Sequence, residues 1–407
     1  MCPPASDDGQ PSGASGSDEG HVVVVGAGVV GCAIAEALSP TVSVTVLEKG
    51  AIGAGTTARA AGEVTMTPSY SDYPAIADYA NSFFREHASP RSFAFHERES
   101  VEFVPPDRLG ESRRRVERLS NDGIPVSFLN AVDASIAYPP LDLDRYVGLV
   151  RHADAGFLDP ERLTGCLARR AVRRGARIET GVEVTDLQVS DGRIVGVRSD
   201  AGPLRADAVL VAAGWRTPRL LGERLVLPVR PYRTQAVVLE LPGLAESSTP
   251  LPMGWVPEER VYFRPMGERE LLVGGWAEPL DDPDAASQNE DAAFRRHVAA
   301  VVPNLFADPS RARYVEGWAG VDLATPDTRP IIDVTPDGPA GSFLATGFHG
   351  RGIMTAPVAG AAIRSLVLGE PTPFPLDPFR VDRFADRSPD FPFLSTSAGG
   401  EPDVGSE

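Results

Sequence analysis

The chain has 407 residues, 42% of them hydrophobic, with a net charge of −17 and a pI near 4.9. This length accommodates two domains with sizeable cores, and the acidity argues against nucleic acid or an anionic membrane surface as a partner. No apolar run approaches membrane-spanning length, and three cysteines (Cys2, Cys32, Cys166) are too few for a disulfide framework and lack metal-ligand spacing, as in a cytoplasmic, reducing setting.

Residues 1–20 carry acids, Ser, Gly and Pro without a basic-apolar signal pattern and read as a disordered tail, as do residues 386–407. Val22, Val23, Val24 and Val25 then predict a buried strand, followed by Gly26, Gly28 and Gly31 in a G-x-G-x-x-G turn and a helix over 30–38. A second β-rich run, 42–48, ends at Glu48, 22 residues beyond Gly26. Strand, glycine turn, helix and acid together identify an adenine dinucleotide site: Gly28 admits the pyrophosphate to the backbone and Glu48 accepts the ribose hydroxyls. An acid there disfavours a 2′-phosphate. The loop 50–62 is built of small residues with two hydroxyls, Thr56 and Thr57. From 73 to 129 the pattern reads as mixed helical, with Arg113, Arg114 and Arg115 on a solvated helix face.

Asp159 and Pro160 predict the start of a helix over 161–174, stopped by Gly175. Short strands follow at 176–179, 182–187 and 194–198, the last after an Asp191-Gly192 hairpin turn, and a buried strand at 208–214. Period-two alternation between 227 and 276 predicts an antiparallel sheet with strands at 237–240, 261–264 and 271–275. A helix at 291–302, a strand at 343–347 and an apolar helix over 353–368, opened by Gly350-Arg351-Gly352, complete the order. The fold class is α/β, a Rossmann-type domain interleaved with an antiparallel α+β domain.

Five blocks in this order resemble the D-amino-acid oxidase, glycine oxidase and sarcosine oxidase group of FAD-dependent amine oxidoreductases: 22–31, 55–62 (Gly-Thr-Thr-Ala-Arg-Ala-Ala-Gly), 209–215 (Val-Leu-Val-Ala-Ala-Gly-Trp), 317–333 and 347–357 (Gly-Phe-His-Gly-Arg-Gly-Ile-Met-Thr-Ala-Pro). The resemblance implies an FAD-binding domain from 21–66, 150–230 and 325–385 and a substrate domain from 67–149 and 231–324. It implies FAD held by Gly26, Ala27, Gly28, Val29, Val30 and Gly31, by Glu48 and Lys49, by Thr56, Thr57, Arg59, Ala60, Ala61 and Gly62, and by Val184 at the adenine. Ala213, Gly214 and Trp215 would line the channel, and Gly350, Arg351, Gly352, Ile353 and Met354 would bring a helix N-terminus to the flavin. Relatives that attach flavin covalently use a histidine where this chain has Arg59, or a cysteine where it has Gly320, so the expectation is non-covalent FAD.

The implied reaction oxidises the C–N bond of an amine or amino-acid derivative to an imine, with O2 or another acceptor reoxidising the flavin. Tyr262 and Arg264 share one strand face; with Asp322, His349 and Arg351 they are the expected catalytic group. Asp322 stands where relatives carry a carboxylate-binding arginine. Either another arginine (Arg351, Arg264 or Arg59) takes over, or, the preferred reading, the substrate is not a simple free amino acid but carries a cationic or hydroxylated part near Asp322. The other reading of Asp322 is an aspartate accepting backbone hydrogen bonds in a turn. The sole lysine, Lys49, is tied to the cofactor strand and is not available to assist oxygen above the flavin. Other readings are an FAD-bearing subunit of an amine dehydrogenase complex, or a reductase or monooxygenase. A homo-oligomer or partner subunits fit either enzyme reading.

Overall fold

The computed structural model describes residues 20–395, apart from 223–224, 247, 310–311 and 336. Its central sheet has six strands in the order Ile331–Val334, Ser342–Thr346, Ala208–Val211, His21–Val25, Ser43–Glu48 and Arg177–Thr180. All pair in parallel except the first, which runs antiparallel to its neighbour. The valine run sits in the middle because it serves two cores. Val22 and Val24 pack on helices Val29–Leu38, Pro160–Arg173 and Gly352–Leu368. Val23 and Val25 face Leu187, Ile194 and Val197 of a small antiparallel sheet on the other side. A strand covered on both faces reads as an unbroken apolar run.

The second large sheet has eight strands, ordered Arg313–Ala324, Arg230–Glu240, Glu270–Pro279, Val261–Pro265, Met253–Val256, Ser100–Val104, Gly148–His152 and Val126–Asn130. Only Met253–Val256 and Ser100–Val104 pair in parallel. One face packs on Phe294, Val298 and Val301 of helix Ala292–Val301. The helix starts are as the sequence indicates: Asp159 caps Pro160–Arg173 through Glu161 and Arg162 N–H at 2.8 and 3.1 Å.

Three features depart from the sequence reading. The 73–129 stretch contributes strands Phe95–Glu97, Ser100–Val104 and Val126–Asn130 as well as helices, because Val101, Phe103 and Val104 are buried beneath both sides of the sheet while charged neighbours blur the alternation. The arginine triplet lies on helix Leu109–Asn121 with Arg113 and Arg114 exposed, as the sequence reading has it, but Arg115 reaches inward to pair with the buried Glu102. At the end of the described chain, Phe391 and Phe393 pack against Tyr232, so residues 386–395 belong to the folded body; two aromatic residues are enough to dock a segment otherwise rich in Pro and Ser. The remaining tail residues, 1–19 and 396–407, lie outside the described residues.

Candidate active site

The first strand enters a turn at Gly26, whose φ is +104° and where an added Cβ would come within 2.5 Å of the Ala212 carbonyl oxygen. At Gly31 a Cβ would meet the Gly26 oxygen at 1.9 Å, so helix and turn touch backbone to backbone. Gly28 differs: only the Thr57 hydroxyl, 3.3 Å away, stands near its Cβ position, and it faces a cavity of about 640 Å³. Helix Val29–Leu38 begins there with no acid in its first turn and no capping side chain on Gly28; Thr57 Oγ1 accepts from Val29 N–H at 3.1 Å. At the end of the second strand Glu48 Oε2 accepts from Ala27 N–H and Oε1 from Gly50 N–H, both at 2.8 Å, which fixes the carboxylate beside the turn.

A second uncapped helix, Gly352–Leu368, opens onto the same cavity, again with no acid in its first turn. The turn before it takes positive φ at Gly347, His349 and Gly350, which costs the two glycines nothing and strains His349 alone. Asp322 holds that turn: Oδ2 accepts from Gly350 N–H at 2.7 Å and Oδ1 from Leu323 N–H at 2.8 Å. Burial pushes the Asp322 carboxyl up to about 6, against the pull of those two N–H groups. The carboxylate is thus engaged by backbone donors, in line with the second of the two roles considered for it, although it still borders the cavity.

His349 is buried and both ring nitrogens are engaged. Nδ1 accepts from Thr325 N–H at 3.3 Å and Nε2 donates to the Leu394 carbonyl at 2.7 Å, which selects the neutral Nε2–H tautomer. Burial lowers its pKa to about 4, and Phe393 stacks on the ring. His349 borders the cavity, with both ring nitrogens already engaged by backbone groups. Arg264 is displaced from its expected place. It does not line the cavity; its guanidinium donates to the Ala61 and Pro265 carbonyls and lies 4.9 Å from the Phe157 ring centroid. Tyr262 does line the cavity, its ring lying over Gly274 and paired across the sheet with Trp255. Arg351 borders the cavity while its Nη1 donates to the Thr328 carbonyl and hydroxyl at 2.8 and 2.7 Å.

The other cofactor candidates come together. Gly26, Gly28, Val29, Val30, Glu48, Lys49, Thr56, Thr57, Arg59, Ala60, Ala61, Gly62, Val184, Ala213, Gly214, Trp215, Gly350, Gly352, Ile353 and Met354 all line the one cavity. Ala27 and Gly31 stand behind it, the first through its bond to Glu48 and the second through helix packing. Arg59 donates to Gln288 Oε1 at 2.7 Å and packs directly over Gly320, where an added Cβ would lie 2.7 Å from its own.

Several lining residues escaped the sequence reading. Trp255, Glu102 and His152 lie on strands it overlooked or on their neighbours. Glu63 follows the small-residue loop directly; it lines the cavity, and its Oε1 is sealed from solvent without a hydrogen-bond partner. The signal was a lone acid after Gly62, with no periodicity to mark it. Among the described residues no cluster of His, Cys, Asp or Glu is arranged to hold a metal, and no helix is long and apolar enough to cross a membrane.

Comparison with known proteins agrees with this geometry. The chain is 31% identical over 308 residues to a D-amino acid dehydrogenase of Cereibacter sphaeroides, covering 72% of this chain and 67% of the relative. It is 26% identical over 379 residues to the glycine oxidase of Geobacillus kaustophilus, covering 89% and 96%. Among solved structures, glycine oxidase from Geobacillus kaustophilus superposes with a TM-score of 0.80 at 23% identity, covering 90% of this chain and 100% of that one. An L-proline dehydrogenase from P. horikoshii also gives 0.80 at 23% identity, over 90% and 98%. Residues 21–366 match the model of the FAD-dependent oxidoreductase family, to which the chain therefore belongs.

Proposed function

We propose that this protein oxidises the C–N bond of an amine or amino-acid derivative to an imine, using non-covalently held FAD. The observation that carries the reading is the pair of helix N-termini, at Gly28 and Gly352, each without an acid in its first turn or a capping side chain on its own N-cap residue, opening onto one cavity bordered by Tyr262 and Trp255 of the eight-stranded sheet. The residues present fit FAD: Gly28 leaves room where a side chain would intrude, and the cavity volume lies in the range of cofactor sites. Gly26, Gly28 and the first N–H groups of Val29–Leu38 would hold the pyrophosphate, Glu48 the ribose, and Val184 the adenine. When bound, the flavin supplies the two-electron acceptor for a C–H bond beside nitrogen. The helix starting at Gly352 would place its positive end near the flavin and would stabilise the negative charge of the reduced form. Asp322 acts as a positioning residue by fixing the Gly350 N–H.

The lining arginines 59, 115, 216, 219 and 351 each already face an oxygen partner within the protein. This supports an amine or a modified amino acid over a free one. An anaerobic screen of amino acids, N-methylated amino acids and diverse amines tests the function: at least one amine bleaches the flavin, and a fully silent screen rejects the reading. Peroxide formed under air, set against dye reduction under nitrogen, separates oxidase from dehydrogenase.

A further inference from the structure

Glu63 is not used by anything described so far. It starts the two-residue strand Glu63–Val64, directly after the loop proposed to run beside the flavin, and pairs with Phe157. Its side chain borders the cavity, with Oε1 buried and unpartnered. The groups that face it are few. From strand Val261–Pro265 come Tyr262 and Arg264, and from the strand alongside comes the apolar Phe157. Asp159 and His96 lie further off, each within the field of Arg264. Arg264 is the natural ion-pair partner, yet its guanidinium is directed at two backbone carbonyls. Burial therefore outweighs its attraction and raises the Glu63 carboxyl to about 8. A carboxyl held in this way lowers stability unless a cation arrives to meet it.

We propose that Glu63 is the proton acceptor for the substrate's ammonium group, and so selects amines that reach the site as cations. The proposal rests on the amine-oxidation reading. An amine bound as its ammonium ion has no lone pair to drive oxidation. Glu63 takes one N–H proton and becomes the carboxylic acid, leaving the neutral amine. The C–H bond beside nitrogen then breaks, its hydrogen and electron pair pass to the oxidised FAD, and the nitrogen lone pair forms the C=N bond of the iminium product. The substrate is oxidised by two electrons and the flavin reduced by two. The proton on Glu63 returns to solvent after product release.

The test uses FAD-loaded protein and anaerobic stopped-flow flavin reduction, with two amines drawn from the bleaching screen that differ in their own pKa. In the wild type the rate per molar amine rises through about 8 at the same midpoint for both amines, then falls above each amine's own pKa. In Glu63→Gln the shared limb is gone and the rate instead rises through the amine's pKa. At neutral pH the variant is slower by about a hundredfold or more, and Glu63→Asp keeps the shared limb. Thermal melts give a readout independent of turnover. The folded state holds the Glu63 proton more tightly than the unfolded chain, so wild-type stability drops as pH rises from the ordinary value of 4.5 through about 8. Glu63→Gln removes that drop, and its melting temperature gains on the wild type as the medium becomes alkaline. If wild type is bleached and Glu63→Gln keeps the wild-type profile, the proposal is overturned while the amine-oxidation reading stands. If no amine bleaches the wild type, that reading falls and the proposal with it.

Discussion

Individual side chains at this site are held by backbone more than by one another. Asp322 is the clearest case, one carboxylate spanning two N–H groups on two segments. An asparagine accepts from one of them and confronts the other with its own N–H. Asp322→Asn is therefore expected to cost about 1–3 kcal/mol and to slow flavin reduction by displacing Gly350. An unchanged melt and unchanged reduction would show that these contacts do not hold the turn. The pH course has a definite sign: with its pKa raised to about 6, Asp322 lowers wild-type stability as pH climbs from about 4 to about 6, a decline the asparagine variant lacks. Arg59 packs on Gly320, so neither position offers a nucleophile to the flavin. Acid precipitation is expected to leave the yellow colour in the supernatant, and colour in the pellet would contradict this. At this scale legibility was uneven. Glu48 was readable because its distance from Gly26 is set by one βα unit, whereas Glu63, His349 and Arg264 depend on what tertiary packing brings near them. Spacing does not encode that.

The two helix N-termini divide the glycines into distinct kinds. Gly31 is required by the fold, since a Cβ there meets backbone at 1.9 Å; at Gly28 a Cβ would meet only the Thr57 hydroxyl, at a tight 3.3 Å, and otherwise faces the cavity, which is the proposed place of the cofactor. Gly31→Ala is expected to destabilise the protein by about 3 kcal/mol or more. Gly28→Ala is expected to leave the apoprotein melt within about 0.5 kcal/mol of wild type while weakening FAD binding at least about tenfold. Calorimetric melts with an FAD titration distinguish them, and equal losses in both would remove Gly28 from the cofactor site. Elements with one dominant period were legible: the valine strand, the capped helix at Asp159, and the Asp191-Gly192 hairpin, where both residues take positive φ. Strand Ser100–Val104 was hidden because Glu102 occupies an inward position that pattern reading assigns to solvent, and its buried pairing with Arg115 is what permits it.

Across the whole molecule, the eight-stranded sheet is bonded to the cofactor-side loops at several points: Thr56 Oγ1 donates to the Val321 carbonyl at 2.6 Å, Trp318 Nε1 to the Arg59 carbonyl at 3.0 Å, and Gly350 N–H to Asp322. The docked segment ending near Leu394 reinforces the same junction through His349. The Thr56–Val321 and Trp318–Arg59 links join residues more than 250 positions apart, and nothing local in the chain announces them. The alternation of βα units and antiparallel strands made the two-sheet arrangement readable, but not the seam between the sheets. Lys49, on the rim of the same cavity, offers a chemical handle. Its ε-amine is the only lysine amine in the chain, and it stands exposed at the rim of the cavity. An acylating reagent thus meets a single internal target, and peptide mass spectrometry reports its fate free of background from other lysines. FAD is expected to shield Lys49 from acylation, so the protein carries its own footprint of cofactor occupancy; equal labelling with and without FAD would place that amine outside the cofactor's reach.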